Sequence, residues 1–205
     1  LLWLDSDPWR LLNGALLNFS YGYGMIYVVP HEEVDGQMQG GMCEFPISQF
    51  PTGVMRGRFS PDDGQLYCCG MFAWAGSQHQ PGGFYRVRYT GKPMHLPLGL
   101  NATRSGIKIR LSDAVDPESA TDVSNYSVNT WDLKRTANYG SKHYNEKRLV
   151  VKSATLSDDG TTVFLEIPDQ QLTWGMEINY ALTSTDGKPV QGKIHNSIYK
   201  FGTGE

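Results

Sequence analysis

The tetrapeptide Ser157-Asp158-Asp159-Gly160 stands between two apolar runs, residues 149–156 and 162–167, and this arrangement decides the fold class. A short turn rich in Asp and Gly between two runs rich in Val, Leu and Thr is a hairpin signal. The same grammar continues outward in both directions. Upstream, Ile107-Lys108-Ile109-Arg110-Leu111 alternates apolar and polar side chains, the period of a half-buried strand. Downstream, residues 178–183 and 194–201 flank the turn Asp186-Gly187-Lys188-Pro189. Residues 96–100 start the series, and Asn125-Tyr126-Ser127-Val128 follows a helix-like turn at residues 116–123. About seven strands in about 110 residues is the scale of an immunoglobulin-like or fibronectin-like β-sandwich. Residues 131–148 depart from the pattern: they are polar and aromatic, and read as an insertion between strands.

The chain before this region is also strand-rich. Residues 16–20 and 25–29 flank Tyr21-Gly22-Tyr23-Gly24 as a hairpin, and residues 40–45 add a strand after a polar loop at 31–39. The outline then repeats with strands at residues 53–59, 65–72 and 83–89. Successive three- or four-stranded antiparallel units of about 40 residues are what propeller blades look like. The predicted fold is therefore all-β. Antiparallel, propeller-blade-like sheets over residues 1–91 are followed by an immunoglobulin-like sandwich over residues 92–205, with the aromatic insertion at 131–148.

Composition narrows the partners. With 40% hydrophobic and 19% charged residues, the chain has enough apolar side chains for a core. A net charge of −3 argues against binding a nucleic-acid backbone. No apolar run is long enough to span a bilayer as a helix. The chain begins at Leu1-Leu2-Trp3 without Met or a signal peptide, and reads as a piece of something longer. Cys43, Cys68 and Cys69 permit one disulfide from Cys43 in an oxidising compartment, or three free thiols. Neighbouring strand residues point to opposite faces, so Cys68 and Cys69 cannot both face Cys43.

Several strings carry a family resemblance. They are Tyr27-Val28-Val29-Pro30-His31-Glu32, Val34-Asp35-Gly36-Gln37, Met55-Arg56-Gly57-Arg58-Phe59 and Asp63-Gly64-Gln65-Leu66-Tyr67. To these are added the run from Gly82-Gly83-Phe84-Tyr85 to Thr90-Gly91-Lys92-Pro93, and Leu133-Lys134-Arg135-Thr136-Ala137-Asn138-Tyr139-Gly140-Ser141. Together they resemble the C-terminal region of large secreted bacterial proteins with a sorbosone-dehydrogenase-like β-propeller, which often also carry a cytochrome c segment. The resemblance implies closing propeller blades, an immunoglobulin-like domain, a secreted or periplasmic location, and a parent that oxidises sugars or alcohols with a quinone. No quinone-contacting residue maps onto a position here, and Cys-x-x-Cys-His is absent, so no cofactor is assigned to this segment.

The residues themselves offer a binding reading more readily than a catalytic one. Gly-x-Ser-x-Gly, phosphate-loop and dinucleotide-binding patterns are absent. His31-Glu32-Glu33 with Asp35 has the chemistry of a metal or acid–base site but no zinc spacing, and otherwise reads as a polar loop. His79, His95, His143 and His195 are scattered. Arg56 and Arg58 share one strand face and suit an anion, or an ion pair with a neighbouring strand. The acidic turns Asp5-Ser6-Asp7, Asp62-Asp63-Gly64 and Asp158-Asp159-Gly160 lack a full calcium loop. The sequons at Asn18, Asn101 and Asn125 mark glycosylation only in a eukaryotic secretory context.

The insertion is the candidate ligand site. Trp131, Tyr139 and Tyr144 lie with Lys134, Asn138 and His143, and with Arg135, Lys142 and Asn145. Sugar rings stack their C–H faces on such aromatics and bond their hydroxyls to amide and charged groups. The competing reading is that these aromatics anchor a long loop. Trp74 and Trp174 are expected in buried positions, Trp174 in the sandwich core. The functional expectation is a non-catalytic accessory module, with a polysaccharide or glycan and the remaining domains of a parent chain as partners. The alternatives are a fragment of a quinone-dependent oxidoreductase and a structural cap on a propeller.

Overall fold

The computed structural model describes residues 1–73 and 78–203. Antiparallel sheets dominate, with no closed barrel and a single five-residue α-helix among the described residues. In chain order the strands are β1 (Leu2–Trp3), β2 (Leu16–Ser20), β3 (Met25–Val28), β4 (His31–Val34), β5 (Gln37–Glu44), β6 (Arg56–Phe59), β7 (Leu66–Met71) and β8 (Gly82–Val87). They continue as β9 (Pro97–Thr103), β10 (Gly106–Leu111), β11 (Tyr126–Asp132), β12 (Tyr144–Leu149), β13 (Ser153–Leu156), β14 (Thr162–Glu166), β15 (Thr173–Thr183) and β16 (Pro189–Ile198). Helix α1 (Pro117–Thr121) precedes β11, with the Asp116 carboxylate accepting from Ser119 N at its start.

Two compact units result. The first comprises Leu1–Val29 and Glu44–Leu96, and the second Pro30–Cys43 and Pro97–Glu205. The chain thus passes between the units at residues 29/30, 43/44 and 96/97, where the sequence marks a single passage near Lys92. The physical reason is the hairpin β4–β5, which belongs by its hydrogen bonds to the second unit. Its β5 pairs with β16, Met42 opposite His195 and Gly41 opposite Asn196. Its Glu32 carboxylate accepts from Ala102 N at 2.9 Å and Asn101 Nδ2 at 3.0 Å.

In the first unit β1, β2 and β3 form one antiparallel meander, and β6, β7 and β8 form another. Among the described residues Trp9 is the largest fully buried side chain, held in a 3-10 turn over Asp7–Leu12. Its ring stacks on Tyr89 at 5.6 Å and meets Phe59 edge-on, and its indole N–H donates to Gly64 O. That bond satisfies the single polar atom that burial would otherwise strand. Where β7 approaches Gly53, a Cβ on Gly70 would sit 1.6 Å from the Gly53 carbonyl oxygen, so only glycine fits.

The second unit is a β-sandwich of two sheets, β13-β14-β10-β9 and β4-β5-β16-β15-β11-β12. The period-two pattern of β10 is realised directly. Ile107, Ile109 and Leu111 are buried, opposite Leu165 and Val163 of β14. The facing sheet contributes Val128, Met176, Ile178 and Ile194, all fully buried. Each such side chain contributes roughly 1.5–3 kcal/mol relative to exposure. The founding hairpin turn closes as expected, with Gly160 at φ 72 and Asp159 Oδ1 accepting from Ser157 Oγ and Thr161 N.

Two expectations change here. The polar stretch at 31–39 is a tight hairpin: Asp35 and Gly36 both take positive φ, 48 and 75, as a type I′ turn requires. The insertion at 131–148 is the end of a second hairpin, in which β11 runs on to Asp132 and β12 starts at Tyr144. It carries little hydrophobic alternation because β12 is an edge strand exposed along most of its length, with only Leu149 buried.

Candidate functional site

The outward face of the second unit's larger sheet is built by strand alternation. Tyr126 and Val128 point into the sandwich, so Ser127, Asn129 and Trp131 point out. Met176, Ile178 and Tyr180 point in, so Gly175, Glu177 and Asn179 point out. Ile194 and Asn196 point in, so Lys193 and His195 point out. The register sets Trp131 beside Gly175, Asn129 beside Glu177 and Glu177 beside His195.

Glu177 is the centre of the polar part. Its Oε1 accepts from Asn179 Nδ2 at 2.8 Å, and its Oε2 lies 3.0 Å from Lys193 Nζ and 2.9 Å from His195 Nε2. The Asn179 hydrogen bond, then those from Lys193 and His195, hold the Glu177 carboxyl down at about 2. The aromatic part adjoins it. The Trp131 indole lies across Gly175, where a Cβ would come within 2.3 Å of Nε1. His143 stacks on the indole at 4.1 Å between centroids and 12° between planes. His195 meets the same indole edge-on at 6.0 Å. His143 Nδ1 is paired with Glu146 Oε1 at 2.7 Å.

The other aromatics of the hairpin divide from this group. Tyr144 pairs with Asp132, the neighbour of Trp131, so its ring starts from the opposite face. Lys134 Nζ sits 4.2 Å from the Tyr144 ring centroid, a cation–π contact. Asn145, at φ 52, forms the bulge that separates the two faces, and its amide donates to Asp132 Oδ2. Tyr139 is 97% exposed at the loop tip, with exposed Asn138 beside it. The structure therefore brings Trp131 together with His143, and Tyr144 with Lys134, and leaves Tyr139 and Asn138 apart. The sequence reading missed Glu177, Asn179 and Lys193 as site residues, and took His195 for isolated. The alternation of Asn179 with Ile178 and Tyr180 was the available signal.

The remaining candidates have structural roles. The Glu32 carboxylate is occupied by Gln39, Asn101 and Ala102. Arg58 donates to Gly57 O, and the ion pair of that sheet runs from Arg86 to Asp63 at 2.7 Å. Asp63 gives Oδ1 to its own turn and Oδ2 to Tyr67 and Arg86, Asp159 accepts within its own turn, and among the described residues no group of three or more His, Cys, Asp or Glu is placed to hold a metal. Cys43, Cys68 and Cys69 are not joined in disulfides. Burial pushes the Cys68 thiol up to about 12, while Cys69, on the opposite strand face, is exposed. Trp174 is 54% exposed rather than in the core, because β15 is irregular between Thr173 and Met176. Trp74 lies outside the described residues. Among the described residues no helix is long and apolar enough to cross a membrane. No family model, curated protein or solved structure matches this chain.

Proposed function

We propose that this chain is a non-catalytic accessory module of a larger secreted or periplasmic protein, and that it binds a glycan on the outward face around Trp131. One observation carries the reading. Trp131, His143 and His195 gather as rings beside Glu177, Asn179 and Lys193, which offer charged and amide hydrogen-bonding groups on the same face. Rings for C–H faces and convergent polar groups for hydroxyls are what a sugar requires. The strand order β13-β14-β10-β9 against β16-β15-β11-β12 supports reading the second unit as immunoglobulin-like, a frame that leaves such a face free for recognition. The resemblance of several strings to sorbosone-dehydrogenase-like proteins is what suggests the accessory role.

Since His143 covers one face of the indole, a bound sugar either stacks on His143 or displaces it. The test is affinity electrophoresis of the intact chain through gels holding soluble polysaccharides. Retardation is expected with at least one of them, abolished by Trp131→Ala and weakened by His143→Ala, which alters only the exposed layer. Free migration on a broad glycan panel refutes the reading, as does retardation that both variants retain.

A further inference from the structure

The second unit also contains a cleft of about 590 Å3 whose lining includes none of the outward-face residues described above. Three segments form its walls: the β9–β10 turn with Arg104, the approach to β15 with Leu172, and the chain after β16 with Tyr199, Lys200 and Phe201. Asp35 of the β4–β5 turn completes the rim.

Buried amides hold these walls in place. Gln39 is buried, and its Oε1 accepts from both Tyr199 N and Lys200 N at 2.8 and 2.9 Å. Its Nε2 donates to Lys200 O at 2.8 Å and to Glu32 at 2.7 Å. Gln170, equally buried, donates to Thr103 O and Gly106 O and so clamps the turn that carries Arg104. Gly202 N donates to Ala102 O at 2.8 Å. A wall fixed by its own buried hydrogen bonds loses little freedom when a ligand arrives.

The lining joins two chemistries. Among the described residues neither Arg104 nor Lys200 forms an ion pair. The Arg104 guanidinium lies over Phe201, 5.5 Å from its centroid, and Lys200 Nζ reaches only the backbone carbonyl of Asp35, at 3.4 Å. Beside these cations Tyr199 and Leu172 are 43% and 54% exposed, and Trp174 meets Tyr199 edge-on at 6.0 Å. We propose that this cleft binds the carboxylate-bearing ring of an acidic sugar, a uronate unit. The guanidinium fork receives the planar carboxylate, Lys200 adds a second cation, and the ring's C–H face lies on Tyr199 and Leu172. Inorganic phosphate would use the cations and leave the aromatic wall idle. A neutral sugar would do the reverse. The cleft does not depend on Trp131, so it stands or falls apart from the outward face.

The experiment is a titration of the intact chain, followed by amide NMR, with trigalacturonate, a neutral trisaccharide and inorganic phosphate. Trigalacturonate is expected to shift the amides of Arg104, Ser105, Tyr199 and Lys200. Arg104→Gln and Tyr199→Ala should each weaken it by about tenfold. Trp131→Ala should leave it unchanged, which separates this site from the one proposed above. Amide spectra of the two exposed-site variants check that the fold is intact. Equal binding of the neutral trisaccharide overturns the proposal. So does phosphate binding as tightly at the same amides, which would mean a bare anion site, and so does an unchanged affinity in Arg104→Gln.

Discussion

The carboxylate of Glu177 lies within reach of an amide, an ammonium and an imidazole on an open sheet face, and this has a consequence in acid. Its value in the folded chain is about 2, against an ordinary 4.5. A carboxyl depressed on folding contributes stability above its unfolded value and loses it as pH falls. The contribution is therefore complete above about pH 5 and disappears between pH 4.5 and 2. Because Glu177 is partly solvated, the contribution is on the order of 1 kcal/mol. Glu177→Gln should be less stable than the native chain by that amount at pH 6 and equal to it near pH 2, as measured by urea unfolding. A gap that persists unchanged into acid would contradict the assignment. Gly175 serves the same face by absence: with no Cβ, it lets the Trp131 indole lie flat enough for His143 to stack.

At the scale of elements, the hairpin β4–β5 is held by one side chain as much as by its ladder. Glu32 takes Gln39 from its own hairpin, and Asn101 with the Ala102 amide from β9. It thereby ties the edge of one sheet to a strand of the other. Glu32→Ala leaves these donors without their acceptor and should destabilise the chain by about 2 kcal/mol. The check is the urea midpoint, with Glu32→Gln restoring part of the loss because its carbonyl still accepts. The hairpin β11–β12 is the opposite case. Its loop and the strand β12 are exposed except at Tyr144 and Leu149, and its shape there rests on the Asn145 bulge and on contacts such as Lys134 over Tyr144.

At the scale of the whole molecule, the division of the chain predicts how it can be cut. A fragment of residues 92–205 contains every strand of the second unit except β4 and β5. It leaves the β16 edge unpaired opposite Cys43 to Gly40, and leaves Ala102 without Glu32. Open edges pair with other chains. The fragment should unfold at a lower urea concentration than the intact chain and associate as its concentration rises, by size-exclusion chromatography. A monomer as stable as the intact chain would show that the hairpin is dispensable.

Sequence alone determined the all-β class, the founding hairpin around Asp158-Asp159-Gly160, and the inward set Ile107, Ile109 and Leu111. Each is written in a short-range period or a local turn preference. It also marked Trp131 and His143, since a Trp in a polar stretch is visible without a partner. It overlooked the Asp35-Gly36 hairpin, although that turn is local, because His31, Glu32 and Glu33 look like loop residues until the partners of Glu32 are known. Only the tertiary structure decided that Trp131 and Tyr144 face opposite ways, because a single bulge at Asn145 shifts the alternation. Only it joined Glu177, Lys193 and His195, which lie on two strands, to Trp131 on a third. Register across strands is fixed by the buried faces of the whole sandwich, and no local pattern encodes it.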